Sequence, residues 1–499
     1  MAYTYGSIGT CKLGGGATSS YYQARLGYQV NSQSIENNTS NITLRLEVRS
    51  TSSSYATRGY NQTSTIDGTA LSAKTFDMSN TNTWQVFGER TITITHNSDG
   101  TYSATKSASF TTTATSTYSL KSGSASVTVA PATIPRASEP TLSASSVAMG
   151  SSVTINTNRK STSFTHTLTY SFGNTSGTIA SSVGASTTWT PPLSLANQIP
   201  STTSGTCTIT CKTYNGSTLV GTKTVSLTLN VPSSVVPSIS SIALSEANSA
   251  VPSSWGCYVQ NKSKLRVVTT ASGSYGSTIK SYKITGIDSN TYNSSDFTSN
   301  VLTGSGTKTI TVTVTDSRGR TATKTTTYTC VTYSNPSISV ASVTRCNSNG
   351  TANEEGTYVK YTFKASVSSV NNKNSHVFKI GYKLSSASSY TYVTISNDGY
   401  NLDKTNVILS GLTFSADNSY DFQFFASDYF ISSAIEKSIG TGFTLMDFNA
   451  SGKSMAIGKV SEAGADEKLL EVDLESKFTK QIYMGGNKVL SFVVTDSWS

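Results

Sequence analysis

A short proline motif recurs along this chain at nearly constant spacing. Pro140-Thr141-Leu142-Ser143, Pro237-Ser238-Ile239-Ser240 and Pro336-Ser337-Ile338-Ser339 stand 97 and 99 residues apart, and each opens an alternating apolar/polar run. A period of about 100 residues built of short strands is the length of one immunoglobulin-like sandwich. A second marker keeps the same step. Residues 207–214 and 225–229 flank Asn215-Gly216, and Ile310, Val312 and Val314 lead into Asp316-Ser317-Arg318-Gly319 before the chain returns through 321–328. Both are hairpin signals, because Asn and Gly accept the positive φ that tight turns require. A third closing hairpin is expected from Tyr420–Phe425 through Ser427-Asp428. The spacing therefore predicts an all-β chain with three tandem sandwiches over residues 139–235, 236–335 and 336–446.

The flanking segments differ in texture. Residues 1–138 hold enough strand-like runs for a jelly-roll-like sandwich, with a hairpin expected at His96-Asn97-Ser98-Asp99-Gly100 and a proline-stiffened exit at Ile134-Pro135-Arg136-Ala137-Ser138. Residues 447–499 carry short β-runs rich in apolar residues: Met455, Ile457, Leu469, Leu470, Val472, Leu474, Phe478, Ile482 and Val489. So short a segment cannot enclose a core of its own. It is expected to associate with copies of itself and to close by rotation, as symmetric oligomers do.

Composition narrows the function classes. The net charge is +10, but charged residues make up only 13% of the chain and no basic cluster forms, which argues against a nucleic-acid interface. No run approaches the ~20 apolar residues of a membrane span, and the N-terminus lacks the pattern of a secretion signal, so neither membrane insertion nor export is expected. The six cysteines show no metal spacing and no tight disulfide framework, so free thiols are expected and no metal or cofactor is implied.

Catalytic patterns are equally sparse. The three histidines, His96, His166 and His376, fall in different predicted domains. His96, with Asp99 and many serines nearby, reads as a turn-capping residue rather than as the base of a nucleophilic triad. His166 reads as a partly exposed strand residue. Gly452-Lys453-Ser454 lacks the upstream glycine of a phosphate loop, since position 447 is Asp. Glu354 and Glu355 are adjacent and face opposite ways on an extended chain, so they do not form the facing carboxylates of a glycosidase. No catalytic residue is expected. Aromatics carry the stronger binding signal: Trp84, with Tyr55, Tyr60 and Phe87, stands in the loop-rich middle of the first domain as either buried core or a platform for a sugar ring. Trp189 and Trp255 read as core.

Three stretches carry a family likeness: residues 96–100 followed by Ile134-Pro135-Arg136-Ala137-Ser138; Val314-Thr315-Asp316-Ser317-Arg318-Gly319-Arg320; and Gly452-Lys453 through Ala456-Ile457-Gly458-Lys459 with Leu470-Glu471-Val472. On these the chain resembles minor structural and tail proteins of siphophages that infect Gram-positive bacteria, a group built around a domain of uncharacterised function. The resemblance implies a virion component at the tail tip, baseplate or tail fibre. It implies contact with other tail proteins and with host cell-wall polysaccharide, and trimeric association through the C-terminal block. A bacterial surface adhesin and a tail-associated polysaccharide-degrading enzyme are the competing expectations.

Overall fold

A computed structural model describes residues 2–79, 81–442, 446–449, 451–458, 461, 467–472, 483–484 and 487–488. It divides into two compact units: residues 1–238 with 272–280 and 315–322, and the remainder.

The first sandwich packs a four-stranded sheet (Thr4–Tyr5, Tyr22–Ser34, Thr39–Ser50 and Gln85–Thr95, in that order) on a second sheet ordered Thr10–Leu13, Leu120–Val129, Ala104–Thr112, Arg58–Ile66 and Thr69–Ala70, with Lys74–Asp77 also paired to Arg58–Ile66. Along Thr39–Ser50, Ile42, Leu44, Leu46 and Val48 point into the core, and Asn41, Thr43, Arg45 and Arg49 point out. This is the period-2 pattern of a strand with one buried face.

The turn at 96–100 corrects one expectation. It does not close a hairpin. Gln85–Thr95 pairs with Thr39–Ser50, whereas Ala104–Thr112 pairs with Leu120–Val129 and Arg58–Ile66, so the turn carries the chain from one sheet to the other. Gly100 has φ +84°, and a Cβ there would meet the Ile134 carbonyl at 1.9 Å. The Ile134 amide donates to the Gly100 carbonyl at 3.0 Å, so the domain exit is laid directly over this turn. Two sequence motifs some 35 residues apart are thus one local structure.

The three repeats share a winding. In the first, the sheets run Thr141–Leu142, Val153–Asn156, Ser186–Trp189 and Ser146–Ala148, Thr218–Asn230, Ser204–Asn215, Phe164–Phe172, Thr175–Val183. In the second they run Ser238–Glu246, Lys264–Ser272, Asp296–Val301 and Tyr258–Val259, Thr321–Val331, Gly306–Asp316, Ile279–Thr285. In the third they run Ser337–Cys346, Tyr358–Ser366, Asn401–Ile408 and Thr391–Thr394, His376–Leu384, Tyr420–Asp428, Ser432–Ile439. Leaving aside the short strands Ser146–Ala148 and Tyr258–Val259, the first, second and fifth strands of the first and third repeats form one sheet and the third, fourth, sixth and seventh the other. The second repeat divides the same way with six strands, the first, second and fourth against the third, fifth and sixth, which is immunoglobulin-like topology. The turns at Gly216 (φ +62°) and Gly319 (φ +81°) sit where the sequence places them.

Trp189 is buried and stacks on Tyr170 at 5.0 Å, as expected of a core residue. Trp255 is not. It lies in a short helical turn, Ser253–Trp255, half-buried against Tyr429 and Phe430 at 5.3 and 5.5 Å. Within the second unit Trp255 and Phe430 join Tyr333, Val251, Val259 and Val370 in an apolar cluster that links elements of the second and third repeats. His166 is also corrected, from partly exposed to fully buried.

All six cysteines are free thiols. Burial pushes the Cys11 thiol up to about 12 and those of Cys207, Cys211 and Cys330 up to about 11, which keeps them as unreactive thiols in the core.

Candidate functional site

Arginines hold the joints. Arg136 donates to the carbonyls of Ile35 and Val220, tying the first sandwich to the first repeat. Arg318 is buried and donates from Nε to Ile199 O (3.2 Å), from Nη1 to Ser274 O (2.7 Å), and from Nη2 to Ala196 O (2.8 Å) and Tyr275 O (2.6 Å). Arg320 reaches the carbonyls of Val231, Pro232 and Val235. All these partners belong to the first unit. The Asp316 carboxylate organises the turn by accepting the Arg318 and Arg320 amides at 3.0 and 2.8 Å. In the second unit Arg345 makes five bonds, to the carbonyls of Gly356, Phe414, Ser415, Asn418 and Gly440. Burial lowers the pKa of both Arg318 and Arg345, but an arginine starts so high that both stay cationic. A planar fork of five donors suits several fixed carbonyls at once, which an ammonium does not.

Two Ser–His contacts deserve comparison with catalytic pairs. His96 Nε2 lies 2.6 Å from Ser40 Oγ, and its Nδ1 lies 2.7 Å from the Gly100 carbonyl. His166 repeats this with Ser138 Oγ and the Val183 carbonyl, each at 2.9 Å. A carbonyl only accepts, so Nδ1 carries a hydrogen, and in a neutral ring Nε2 then accepts from the serine. That is the polarity of a nucleophile and its base. However, Ser40, Ser138 and His166 are fully buried and His96 is 5% exposed, so no substrate reaches either hydroxyl. The pairs anchor the 96–100 turn and the 134–138 exit.

The sequence-nominated aromatics are dispersed. Phe87 lies in the core against Phe76 and Phe110. Tyr60 and Tyr55 pack partly buried against that core, and Tyr55 stacks on the exposed Tyr21 at 4.3 Å. Trp84 stands apart, half-exposed on the outer face of the four-stranded sheet. There the Arg25 guanidinium lies 3.7 Å from the Tyr5 ring centre and 4.1 Å from that of Trp84, and Arg49 lies 4.6 Å from the latter. Arg45 covers Tyr3 at 4.1 Å. Glu47 pairs with Arg25 at 2.6 Å, and Glu89 pairs with Arg45. Burial, followed by the adjacent carboxylates, raises the pKa of Tyr3 and Tyr5. The rings are thus already capped by cations in a lattice of alternating aromatic and charged groups.

The C-terminal block contributes a small sheet in which Met455–Ile457 pairs antiparallel with Met446–Phe448 and parallel with Leu470–Val472. The register aligns Met446, Ile457 and Val472 in one row and Phe448, Met455 and Leu470 in the next, so one face is wholly apolar and the other carries Asp447, Ala456 and Glu471. Met446, Phe448, Leu470 and Val472 are exposed, with Phe448 at 59% and Leu470 at 60%. Sequence reasoning missed Met446 and Phe448, because only the register reveals the shared face. Leu474, Phe478 and Ile482 lie outside the described residues. Among the described residues no group of His, Cys, Asp and Glu is arranged to hold a metal, and no helix is long and apolar enough to cross a membrane.

These features define a tandem immunoglobulin-like β-sandwich protein with arginine-tied joints. The chain matches, over residues 18–488, the family described as siphovirus protein of unknown function (DUF859), and it belongs to that family. No curated protein matches it. Among solved structures it is similar to a Ca2+-stabilised adhesin of an Antarctic bacterium that binds ice (13% identity, 83% of this chain and 97% of that chain, TM-score 0.31). It is also similar to three N-terminal domains of the bacteriophage RB49 Highly Immunogenic Outer Capsid protein (11% identity, 61% and 97%, TM-score 0.22) and to the protocadherin gamma B2 extracellular cadherin domains (13% identity, 77% and 72%, TM-score 0.29). At these scores the likeness carries nothing about function.

Proposed function

We propose that this siphovirus protein is a structural component of the virion, placed at the tail tip, baseplate or tail fibre, where it contributes to attachment to host cell-wall glycan. The observation that carries this reading is the joint chemistry. A chain of sandwiches whose joints are tied by Arg136, Arg318 and Arg320 transmits position from one domain to the next, which suits holding a contact surface in place. The role is binding rather than catalysis. The inaccessible Ser40–His96 and Ser138–His166 pairs support this, since both of these nucleophile-like contacts are closed to substrate. Family membership favours a phage protein over a bacterial surface adhesin.

The partner in assembly is proposed to be the same chain, as a homotrimer formed through the apolar face that includes Met455, Ile457, Leu470 and Val472. Every virion copy brings the same face, and rotational closure buries all copies around one axis. Other tail or baseplate proteins are the further partners.

Antibody fragments raised against the full chain are expected to bind intact virions and block adsorption to host cells. Full adsorption by virions coated with the fragment would count against the attachment role.

A further inference from the structure

The outer face of the Thr391–Thr394, His376–Leu384, Tyr420–Asp428, Ser432–Ile439 sheet carries an aromatic platform that differs in kind from the capped rings of the first sandwich. Gly381 sits directly opposite Tyr392. A Cβ on Gly381 would lie 2.8 Å from the Tyr392 ring, so the ring rests on the bare glycine and lies along the sheet. One ring face is occupied by backbone. The residue is still 46% exposed, so the other ring face looks outward. Tyr390 and Phe425 flank it, with ring centres 6.1 and 6.3 Å away.

Polar groups lock and border the rings. The Tyr392 hydroxyl donates to Gln423 Oε1 at 2.6 Å, Gln423 Nε2 donates to Glu436 Oε1 at 3.2 Å, and the Tyr390 hydroxyl donates to the same oxygen at 3.0 Å. The Lys383 ammonium lies 5.3 Å from the Tyr390 ring centre and pairs with Asp421 at 3.2 Å. Asp421 is held on its other oxygen by Ser385 and Ser438. Strand register puts Lys379 beside Phe425 on the same face. Charges there are two positive (Lys379, Lys383) and two negative (Asp421, Glu436).

We propose that this face is a binding platform for an uncharged pyranose glycan. A hexopyranose presents a C–H face that stacks on an aromatic ring and a rim of hydroxyls that bond to amide, carboxylate and ammonium groups. Tyr392 supplies the ring, and Gln423, Glu436 and Lys383 supply the rim. Balanced charge gives no attraction for a polyanion, which selects a neutral sugar over a phosphate-bearing polymer. Rings already fixed by Gly381, Gln423 and Glu436 lose little freedom on binding, which favours a modest but usable affinity. Repetition over several copies raises avidity without new contacts. The proposal deepens the glycan-attachment reading and rests on it.

The test uses the full chain and soluble trisaccharides: maltotriose, laminaritriose, chitotriose and a galactose trimer, read by saturation-transfer NMR and titration, with a sulfated trisaccharide as the charged arm. At least one neutral trisaccharide is expected to bind. Tyr392→Ala should weaken it by about tenfold or more, the scale of losing one aromatic stack. Tyr392→Phe keeps the ring and should keep most of the binding. Gly381→Ala puts a methyl under the ring and should weaken binding with the ring still present. Unchanged melting of the variants excludes unfolding. No binding of any neutral trisaccharide, equal binding by Tyr392→Ala, or preference for the sulfated sugar would each overturn the proposal. Attachment of the intact protein to host cells, measured in parallel, judges the broader reading separately: persistent attachment by Tyr392→Ala sinks this platform and leaves that reading standing.

Discussion

Arg345→Ala is expected to destabilise the third sandwich by about 3–4 kcal/mol, the scale of losing several charge-assisted hydrogen bonds at once. For a domain of this size that corresponds to a fall of roughly 10–20 °C in its melting transition. Arg345 is 5% exposed, and its five bonds gather Gly356, the 414–418 segment and Gly440 around one guanidinium. Among the described residues no carboxylate is bonded to it, and the favourable partner of the buried charge is the set of carbonyl dipoles. Alanine removes all five donors and leaves the buried carbonyls of Gly356 and Phe414 without them. Lysine keeps the charge but offers three donors without the planar fork, and about half the loss is expected for Arg345→Lys. Gly356 adds to the constraint, because a Cβ there would meet the Cys346 carbonyl at 2.3 Å and the segment cannot shift freely to compensate. Calorimetry of the full chain, with hydrogen exchange at 414–418, measures both variants. A change of less than 1 °C for alanine would show that the guanidinium is not a stabilising hub.

The second large effect concerns assembly. Phe448 and Leu470 flank Met455 in one row of the C-terminal sheet, and both project from its apolar face. Burying such a side chain is worth about 1.5–3 kcal/mol. The double variant Phe448→Asp/Leu470→Asp removes that gain in every copy and places like charges around the closing axis. Light scattering of the purified chain is expected to read a trimer for the natural sequence and a monomer for the variant. Phe448→Ser/Leu470→Ser, which removes the apolar surface without adding charge, should shift the equilibrium the same way but less completely. An unchanged trimer mass in both variants would place the association surface elsewhere.

The architecture was legible because proline and turn residues act locally. The proline spacing and the turns at Gly216 and Gly319 report backbone geometry that depends on the residue itself. Alternation along Gly306–Asp316 likewise reports a buried face directly. What stayed hidden depends on distant partners. Arg318 reads in sequence as a turn residue, and its burial against Ala196, Ile199, Ser274 and Tyr275 cannot be inferred from its neighbours. His96 to Gly100 has the composition of a hairpin turn, yet the strands on either side pair in different sheets. Trp84 and Phe87 are close in sequence but end on opposite faces of a sheet, so their proximity suggested a site that does not assemble. The Tyr392 platform depends on cross-strand register with Gly381, and the apolar C-terminal face depends on register with Met446 and Phe448. A period of two identifies faces, but it does not identify which residues from other strands share them.

The place proposed for this siphovirus protein is in the virion, at the end of the tail. Gold-labelled antibody fragments against residues 1–138, viewed by electron microscopy on purified particles, test it most directly. Label is expected to cluster at the tail tip or its fibres, in multiples consistent with trimers. Label distributed over the capsid, or purified particles that carry none of the protein, would contradict it.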